Sequence, residues 1–261
     1  MTGGELPLEE RIEQYLDRHP DASVPTIAGA LNASPAAIVD ILDETDDPSA
    51  SGVATDTSTE DLPTIGVEPR VHVQNVADYG CWMPWQYVDG RKQPHAIYAD
   101  VDEPMSWSNP DLWRDFESVQ MACVDPRLEG PGIVLQHEDD PYADWADPFF
   151  VVDYDSVRDP ETGEVHPVVA EHIDRADSYA DVSTSGTGVH IMAQGRLPDG
   201  VKTIQAALPD HDAFPEAEIE VYDGKRFVAM TGQHVTGTPT VATDAQGFLD
   251  ELVDPFVTEK E

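Results

Sequence analysis

The spacing of hydrophobic residues changes along the chain and predicts helices first and strands later. Leu8, Ile12 and Leu16 recur every four residues, as residues on one face of an α-helix do. Similar spacing up to Glu44 predicts two more short helices, and Ser34 fits the N-cap of the last one. Beyond residue 70, β-branched and aromatic runs bordered by glycine or proline predict strands, with amphipathic helices between them.

The strands and helices predicted for this second part indicate an α/β or α+β domain. Ser108 or Asn109 and Asp244 are expected to cap two of its helices. Strands are predicted for VHVQN (71–75), PHAIYADV (94–101), GPGIVLQ (130–136), PFFVVDYD (148–155), GVHIMAQG (188–195), AEIEVYD (217–223) and RFVAMTG (226–232). Helices are predicted for residues 109–123, 166–180 and 244–256.

Residues 1–45 have the order of elements of a helix-turn-helix module, namely helix, helix, short turn and helix. The helix that would enter DNA contains no Arg or Lys, so DNA contact and a small bundle for packing or protein docking both stay open. Residues 46–69 are rich in Asp, Ser, Thr, Pro and Gly without periodicity, which predicts a flexible linker. Residues 70–261 then form the second domain.

The net charge changes this picture, because the chain has 52 acidic residues and only 14 basic ones, which gives −38. Such a composition resembles the cytoplasmic proteins of halophiles, in which a carboxylate surface keeps the protein hydrated at high salt. At molar salt the Debye length falls to about 3 Å, so net charge alone does not exclude a nucleic-acid partner. Contact with nucleic acid would then depend on metal ions, hydrogen bonds and stacking.

Neither a membrane segment nor a disulfide framework is indicated by the sequence. No stretch approaches 18 apolar residues, and the N-terminus lacks the basic and apolar regions of a signal peptide. Cys81 and Cys123 form no CxxC pair and are expected to be thiols in or near the core. We therefore expect a soluble cytoplasmic protein without a membrane partner.

The first candidate for chemistry is an acidic pair at the end of an apolar strand, Asp153 and Asp155. Residues two apart on a strand point to the same face, so the two carboxylates would project together. Such carboxylates repel each other unless a cation lies between them, and oxygen ligands suit Mg²⁺ or Mn²⁺. The alternative is a strand that runs out into an acidic loop.

The second candidate is the segment from Asp181 to Ile191, which is rich in small residues. Gly186 and Gly188, with the hydroxyls around them, could let backbone N–H groups approach an anion closely. His190 follows in the next predicted strand, where its imidazole could donate to a phosphate oxygen. A plain hairpin turn is the alternative reading of the same residues.

The third candidate is a predicted hairpin over residues 218–232, with Asp223 and Gly224 in its turn. Glu218 and Glu220 would share one face of its first strand. Arg226 begins the return strand, where it could serve a ligand or form a structural ion pair with a neighbouring carboxylate.

In this order, the three candidates resemble the archaeo-eukaryotic primase superfamily, specifically the primase-polymerase domains of archaeal plasmids, viruses and phages. That family carries an Asp-x-Asp pair on a strand, a Ser-x-Ser-Gly-x-Gly-x-His-like segment, and an acidic residue on a later strand. Asp153 and Asp155 match the first, STSGTGVH the second, and Glu220 the third, with Glu218 and Asp223 left as alternatives. The resemblance covers roughly residues 73–232 and departs at His95 and Ile97, where the family usually has a lysine and a proline.

The resemblance implies an α+β fold with a core of the RNA-recognition-motif type, a mostly antiparallel sheet with flanking helices. It also implies a DNA primase/polymerase that uses two divalent metal ions to transfer nucleotides to a 3′-hydroxyl on a single-stranded DNA template. Together with the acidic composition, this leads to the hypothesis of a halophilic archaeon or its plasmid or virus as the host. The partners of the enzyme would be NTP or dNTP, the template and, as an open point, a separate replicative helicase. The implied roles are catalysis for Asp153, Asp155, His190 and Glu220, binding of Mg²⁺ or Mn²⁺ for Asp153, Asp155 and Glu220, and nucleotide binding for Ser183, Ser185, Gly186, Gly188, His190 and Arg226.

Two other functions stay open at this point. A non-catalytic replication or copy-control protein could keep the fold and bind DNA or a helicase through residues 8–44. A metal-dependent nuclease or phosphohydrolase would need the same acidic residues but no nucleotide-binding loop.

Overall fold

The computed structural model describes residues 62–77, 79–97, 105–136 and 148–258. The predicted helical module, residues 1–45, and most of the predicted linker lie outside this part of the chain. The described part is α+β, as expected. Its strands are β1 (Val67–Glu68), β2 (Trp82–Val88), β3 (Arg91–Pro94), β4 (Gly130–Leu135), β5 (Phe149–Asp155), β6 (Tyr179–Val182), β7 (Val189–Gln194), β8 (Thr203–Ala207), β9 (Glu218–Tyr222), β10 (Arg226–Ala229) and β11 (His234–Val235). Its helices are α1 (Phe116–Ala122), α2 (Pro167–Ala176), α3 (Gln246–Thr258) and a 3₁₀ turn at Pro110–Leu112.

The strands form two sheets in which neighbouring strands pair antiparallel. The large sheet has seven strands in the order β1-β11-β6-β7-β5-β9-β8, and the small sheet has four in the order β10-β4-β2-β3. Strand β5 lies inside the large sheet, with β7 on one side and β9 on the other. A strand in this position has no free edge, so its register is fixed from both sides.

The core lies on both faces of the large sheet because side chains of β5 alternate between two apolar layers. Phe150, Val152 and Tyr154 pack with α2 and α3, for example against Val169 and Leu249. The opposite face of the large sheet packs against the small sheet and α1. Its side chains there are Phe149, Val151, Tyr179 and Met192, and they share a cluster with Trp82 and Ile133 of the small sheet and Val119 of α1. The described part of the chain is therefore layered as helices, large sheet and small sheet.

Local sequence explains where the helices begin and end. Asp115 accepts a hydrogen bond from the Ser118 N–H at 2.8 Å and caps α1. Asn109 caps the 3₁₀ turn. Asp244 accepts from the Gln246 N–H at the start of α3, so the expected caps at Asn109 and Asp244 are confirmed.

Four predicted elements differ from the structure. Of the strand predicted for residues 94–101, residues 95–97 are irregular and only Pro94 is seen in a strand. The helix predicted for residues 109–123 is divided into the 3₁₀ turn and α1, because Arg114 pairs with Trp82 between them.

Residues 71–75 are irregular instead of a strand, because the Val71 and Gln74 N–H groups donate to Gly232 and Thr240 in loops. The helix predicted for residues 166–180 ends at Ala176, since Asp177 takes a left-handed conformation with φ 42° and the next residues enter β6. The other predicted strands from residue 130 onward are present as β4, β5, β7, β9 and β10.

The predicted hairpin over residues 218–232 is also wrong, because β9 and β10 belong to different sheets. Both edges of β9 are already paired, with β5 and with β8. The chain crosses to the small sheet over residues 223–225, where Lys225 has φ 54° and donates its N–H to Leu135 O. Strand β10 then pairs with β4.

The end of the predicted linker needs correction as well. Val67 and Glu68 form β1, which pairs with β11 at the edge of the large sheet. Ile65 donates its N–H to Gly163 O at 3.0 Å and packs on the helical layer. Ile65 and Val67, the apolar residues of the segment TIGV (64–67), therefore belong to the fold although they precede residue 70.

Two further findings concern the membrane and the cysteines. Among helices in the described ranges, none combines the length and the apolar character needed to cross a bilayer. Cys81 is buried, Cys123 is half-buried, and neither is in a disulfide.

Candidate active site

A row of polar residues crosses the middle of the large sheet. Asp153 on β5 lies directly opposite His190 on β7 and, on its other side, directly opposite Glu220 on β9. Residues paired in this way project from the same face of a sheet. On the outer side of His190, the row continues with Asp181 on β6. Four residues from four neighbouring strands thus lie side by side.

The Asp-x-Asp spacing places a second acidic pair on the same face. Asp155 lies opposite Glu218, just as Asp153 lies opposite Glu220. The expectation that Asp153 and Asp155 project together therefore agrees with the register of β5. Glu218 and Glu220 of β9 project from this face too, because each is paired directly with one of the two aspartates on the adjacent strand.

The carboxylate of Asp153 lies where the contact between the two sheets opens into a cleft. Earlier on the same face of β5, Phe149 and Val151 are fully buried against the small sheet, whereas the Asp153 side chain is 24% exposed. The cleft has a volume of about 270 Å³. Both sheets line it, with Asp153, His190 and Tyr222 from the large sheet and Lys92, Pro94, Arg226, Phe227, Val228 and Ala229 from the small sheet, together with Trp107.

His190 is held between two carboxylates. Its Nδ1 is 2.9 Å from Asp181 Oδ1, and its Nε2 is 3.5 Å from Asp153 Oδ1. Burial by itself would lower the pKa of His190, but the charge of Asp153 and the hydrogen bond and charge of Asp181 outweigh it and raise the pKa to about 8. At pH 7 the imidazole is therefore mostly a cation that can donate hydrogen bonds.

Asp181 is fully buried and is fixed by donors on both of its oxygens. While Oδ1 accepts from His190, Oδ2 accepts from the Thr231 N–H at 3.0 Å, the Thr231 hydroxyl at 3.2 Å and the Gly232 N–H at 3.2 Å. These donors compensate for the burial of a carboxylate. Asp181 consequently orients the imidazole so that Nε2 faces Asp153 and the cleft.

The other polar groups near Asp153 are a hydroxyl donor, an ion pair and a second aspartate. The Tyr222 hydroxyl donates to Asp153 Oδ2 at 3.4 Å, and burial followed by the charge of Asp153 raises the pKa of Tyr222. Arg226 Nη2 is 3.2 Å from Glu220 Oε1. Partial burial, followed by the charge of Asp153, raises the pKa of Asp155. The carboxylates therefore repel one another, and a cation at this face would relieve the repulsion.

The chemistry of these donors fits a hard divalent cation, although the side chains are not gathered around one point. Asp153, Asp155 and Glu220 offer only carboxylate oxygens, the ligands that Mg²⁺ and Mn²⁺ prefer. Over the described ranges, no three Asp, Glu, His or Cys side chains are arranged for joint coordination. A metal ion bound by Glu220 would compete with Arg226 for this carboxylate.

The structure also separates the three alternatives for the third acidic residue. Asp223 is buried, and its carboxylate accepts a hydrogen bond from the Leu197 N–H at 3.0 Å, away from the row. Glu218 is exposed opposite Asp155, and Glu220 is opposite Asp153. Glu220 is thus the glutamate beside the cleft.

The predicted anion loop, Ser183 to Gly188, is the turn between β6 and β7. Ser183 and Ser185 share a hydrogen bond at 3.0 Å, and the Gly188 N–H donates to the Ser183 hydroxyl at 3.1 Å. Gly186 has φ 80°, which favours glycine. Ser183, Ser185, Gly186 and Gly188 are not among the residues that line the cleft, whereas His190, at the end of the same motif, is.

Sequence reasoning assigned no role to several residues of this site. Asp181 has a detectable signal, because it is an acidic residue within the otherwise buried, apolar stretch of β6. Lys92 could have been noticed because the chain has only four lysines. Tyr222 and Trp107 carry no comparable signal, since aromatic residues are common in cores.

Comparison with known proteins shows a similarity to a phage protein. No family model matches the chain. Over 188 residues, or 72% of its length, the chain is 24% identical to a protein of Nitratiruptor phage NrS-1 named DNA Primase-polymerase. The match covers 24% of that phage protein, so the chain spans about a quarter of the length of this relative. The similarity supports a relationship with primase-polymerases.

Proposed function

We propose that this chain is a DNA primase/polymerase that transfers nucleotides to a 3′-hydroxyl on a single-stranded DNA template. The observation that carries the proposal is the row in which Asp153 lies between His190 and Glu220, at a cleft that also holds Arg226. The row combines carboxylates for metal ions with cationic donors for phosphate oxygens. The similarity to the phage protein, named DNA Primase-polymerase, supports the same function.

The carboxylates are proposed to hold Mg²⁺ or Mn²⁺. Asp153, Asp155 and Glu220 would be the ligands, since they share one face on two adjacent strands. Bound divalent cations would favour deprotonation of the attacking hydroxyl and neutralise negative charge on the phosphates. The opening of the Arg226–Glu220 ion pair would release the guanidinium to a phosphate of the nucleotide at the same time.

The cationic residues are proposed to bind and orient the triphosphate. His190 cannot turn away from the cleft, because Asp181 holds its Nδ1. Arg226 offers a planar set of donors that matches phosphate oxygens. Lys92 adds a further positive charge from the small sheet. Ser183, Ser185, Gly186 and Gly188 would contribute from the neighbouring turn.

The finer parts of this function have their support in the sequence. They are a core of the RNA-recognition-motif type, the helix-turn-helix module at residues 1–45 and the halophilic host, whereas a separate helicase as partner stays an open point. The strongly acidic composition supports the halophilic host. A halophilic enzyme would make its phosphate contacts at short range, through the cleft, because salt screens longer ones.

The test is nucleotide incorporation on a single-stranded DNA template in molar KCl, with Mg²⁺ or Mn²⁺ and labelled NTPs or dNTPs. The wild type is compared with Asp153→Asn and with Asp174→Asn, an exposed aspartate on α2 that undergoes the same change of charge. We expect product from the wild type and from Asp174→Asn, and none from Asp153→Asn. Template degradation without synthesis would favour a nuclease, and folded protein without either activity would favour the non-catalytic replication protein.

A further inference from the structure

A second cavity lies beyond the cleft, on the far side of Arg226. Its volume is about 390 Å³, and it is bounded by residues 196–203, between β7 and β8, and by residues 223–226, where the chain crosses between the sheets. We call it the basic cavity, since four cationic side chains line it: Arg196, Lys202, Lys225 and Arg226.

This concentration of positive charge is unusual for the chain. The whole sequence has 14 basic residues against 52 acidic ones, yet four of the 14 line a single cavity. Only two acidic residues line it with them, Asp199 and Asp223. A random distribution over so acidic a surface would place acidic residues in the majority, so the cavity is a local site of positive charge.

Neutral groups help to hold one of these cations in place. Arg196 Nη1 donates to the backbone carbonyl oxygens of Asp223 at 3.2 Å and Phe149 at 3.5 Å. These carbonyl oxygens help to orient the guanidinium at the wall of the cavity. The Asp223 carboxylate accepts a hydrogen bond from the Leu197 N–H at 3.0 Å, which occupies one of its oxygens within the backbone.

The basic cavity and the cleft are joined through one guanidinium. Arg226 lines both of them. Its Nη2 lies 3.2 Å from Thr203 Oγ1, which lines the basic cavity, and 3.2 Å from Glu220 Oε1 in the polar row. A phosphate bound by Arg226 in the cleft would therefore lie beside the basic cavity.

We propose that the basic cavity binds consecutive phosphate groups. Phosphate is the anion that best uses a mixture of arginine forks and lysine ammonium groups. Its source is either the phosphodiester backbone of the DNA strand or a free polyphosphate such as that of a nucleotide. The strand as a source rests on the proposed function, whereas the phosphate chemistry rests on the cavity itself.

The test measures binding rather than synthesis, with the full chain in MgCl₂ and without nucleotides. One arm uses a fluorescent single-stranded oligodeoxynucleotide at several KCl concentrations, and the other uses inorganic tripolyphosphate in a calorimeter. The variant is Lys202→Gln/Lys225→Gln. The control is Arg70→Gln/Arg127→Gln, which removes two positive charges at exposed positions outside both cavities.

Loss of two phosphate contacts should raise the dissociation constant by about tenfold, because hydrogen bonds to charged groups are strong. It should also reduce the slope of log affinity against log salt by about 1.4 for a single strand. If only the variant loses affinity for the oligonucleotide, the cavity binds the DNA strand. If the variant loses affinity for tripolyphosphate alone, the cavity binds a free polyphosphate. Equal affinities of variant and control, or a wild type that binds neither probe, would overturn the proposal.

These outcomes are independent of catalysis. If the proposed function failed, the incorporation assay with Asp153→Asn would show it, whereas phosphate binding would still separate the two charge variants. Circular dichroism of each variant establishes that it is folded before binding is measured.

Discussion

Asp181 and His190 lie directly opposite each other on β6 and β7, with 2.9 Å between Asp181 Oδ1 and His190 Nδ1. The pair connects the fully buried interior of the sheet to the cleft, because the other imidazole nitrogen faces Asp153. Asp181 contacts none of the reacting groups proposed here and acts through the histidine. It is therefore a positioning residue.

Asp181→Asn should lower the pKa of His190 and destabilise the fold. If the amide nitrogen takes the place of Oδ2, the N–H groups of Thr231 and Gly232 lose their acceptor, and each buried donor left without a partner costs about 1–3 kcal/mol. If it takes the place of Oδ1, it cannot accept from the His190 imidazolium, so the pKa falls. The checks are an NMR titration of His190 and denaturant unfolding, with Asp174→Asn as the control. A destabilised variant in which the pKa of His190 is unchanged would mean that Asp181 is only structural.

The stability of the metal-free protein should depend on pH through His190. Its pKa rises from 6.5 to about 8 on folding, so the charged form is stabilised by about 2 kcal/mol. This contribution is fully present below pH 6.5 and is lost as the pH rises through 8. Unfolding free energies between pH 6 and 9 in EDTA should show the decline in the wild type. The unfolding free energy of His190→Gln should decline less over the same pH range. Equal declines in the two proteins would contradict the assignment of the pH dependence to His190.

Gly188→Ala should destabilise the turn between β6 and β7. A Cβ at this position would lie 2.5 Å from Tyr154 O, and backbone cannot give way as a flexible side chain can. Overpacking of this kind costs about 1–3 kcal/mol. Thermal unfolding measures the loss. The matched control is Gly247→Ala in α3, where the new Cβ meets nothing within 4 Å and alanine should stabilise the helix by up to about 1 kcal/mol.

Arg226→Lys should raise the KM for the nucleotide by about tenfold, on the premise of the proposed function. The substitution keeps the positive charge but removes the planar fork, and hydrogen bonds to charged groups are worth about 1.5–3 kcal/mol. Steady-state incorporation kinetics measure the effect, with Arg127→Lys as a control at an exposed position. An unchanged KM would separate Arg226 from nucleotide binding and leave it only its ion pair with Glu220.

Local sequence patterns predict the elements of the site well. The apolar run before Asp153 predicts β5, and the alternation of two residues places Asp155 on the same face. The glycines before His190 mark the turn between β6 and β7. Each of these inferences needs only residues within a few positions of one another, because strand alternation and turn conformation are local properties.

The partners of these elements could not be predicted in the same way. Nothing near Glu220 in the sequence says that it pairs with Asp153, and nothing near Arg226 says that its strand joins β4 in another sheet. The hairpin prediction failed because the Asp-Gly turn signal does not reveal that both edges of β9 are already occupied. Pairing depends on residues far away in the chain, so it belongs to the tertiary structure.

The row across the large sheet has a consequence for the order of events in folding. Tyr222 and Asp153 are 69 residues apart in the chain, and Thr231 and Asp181 are 50 apart. Contacts between such distant segments form slowly, because closing a long loop costs entropy before the contact repays it. The cleft therefore matures only after the central strands have assembled. A partly folded chain, for example one emerging from the ribosome, would contain the acidic residues of the row, but they would not yet lie side by side.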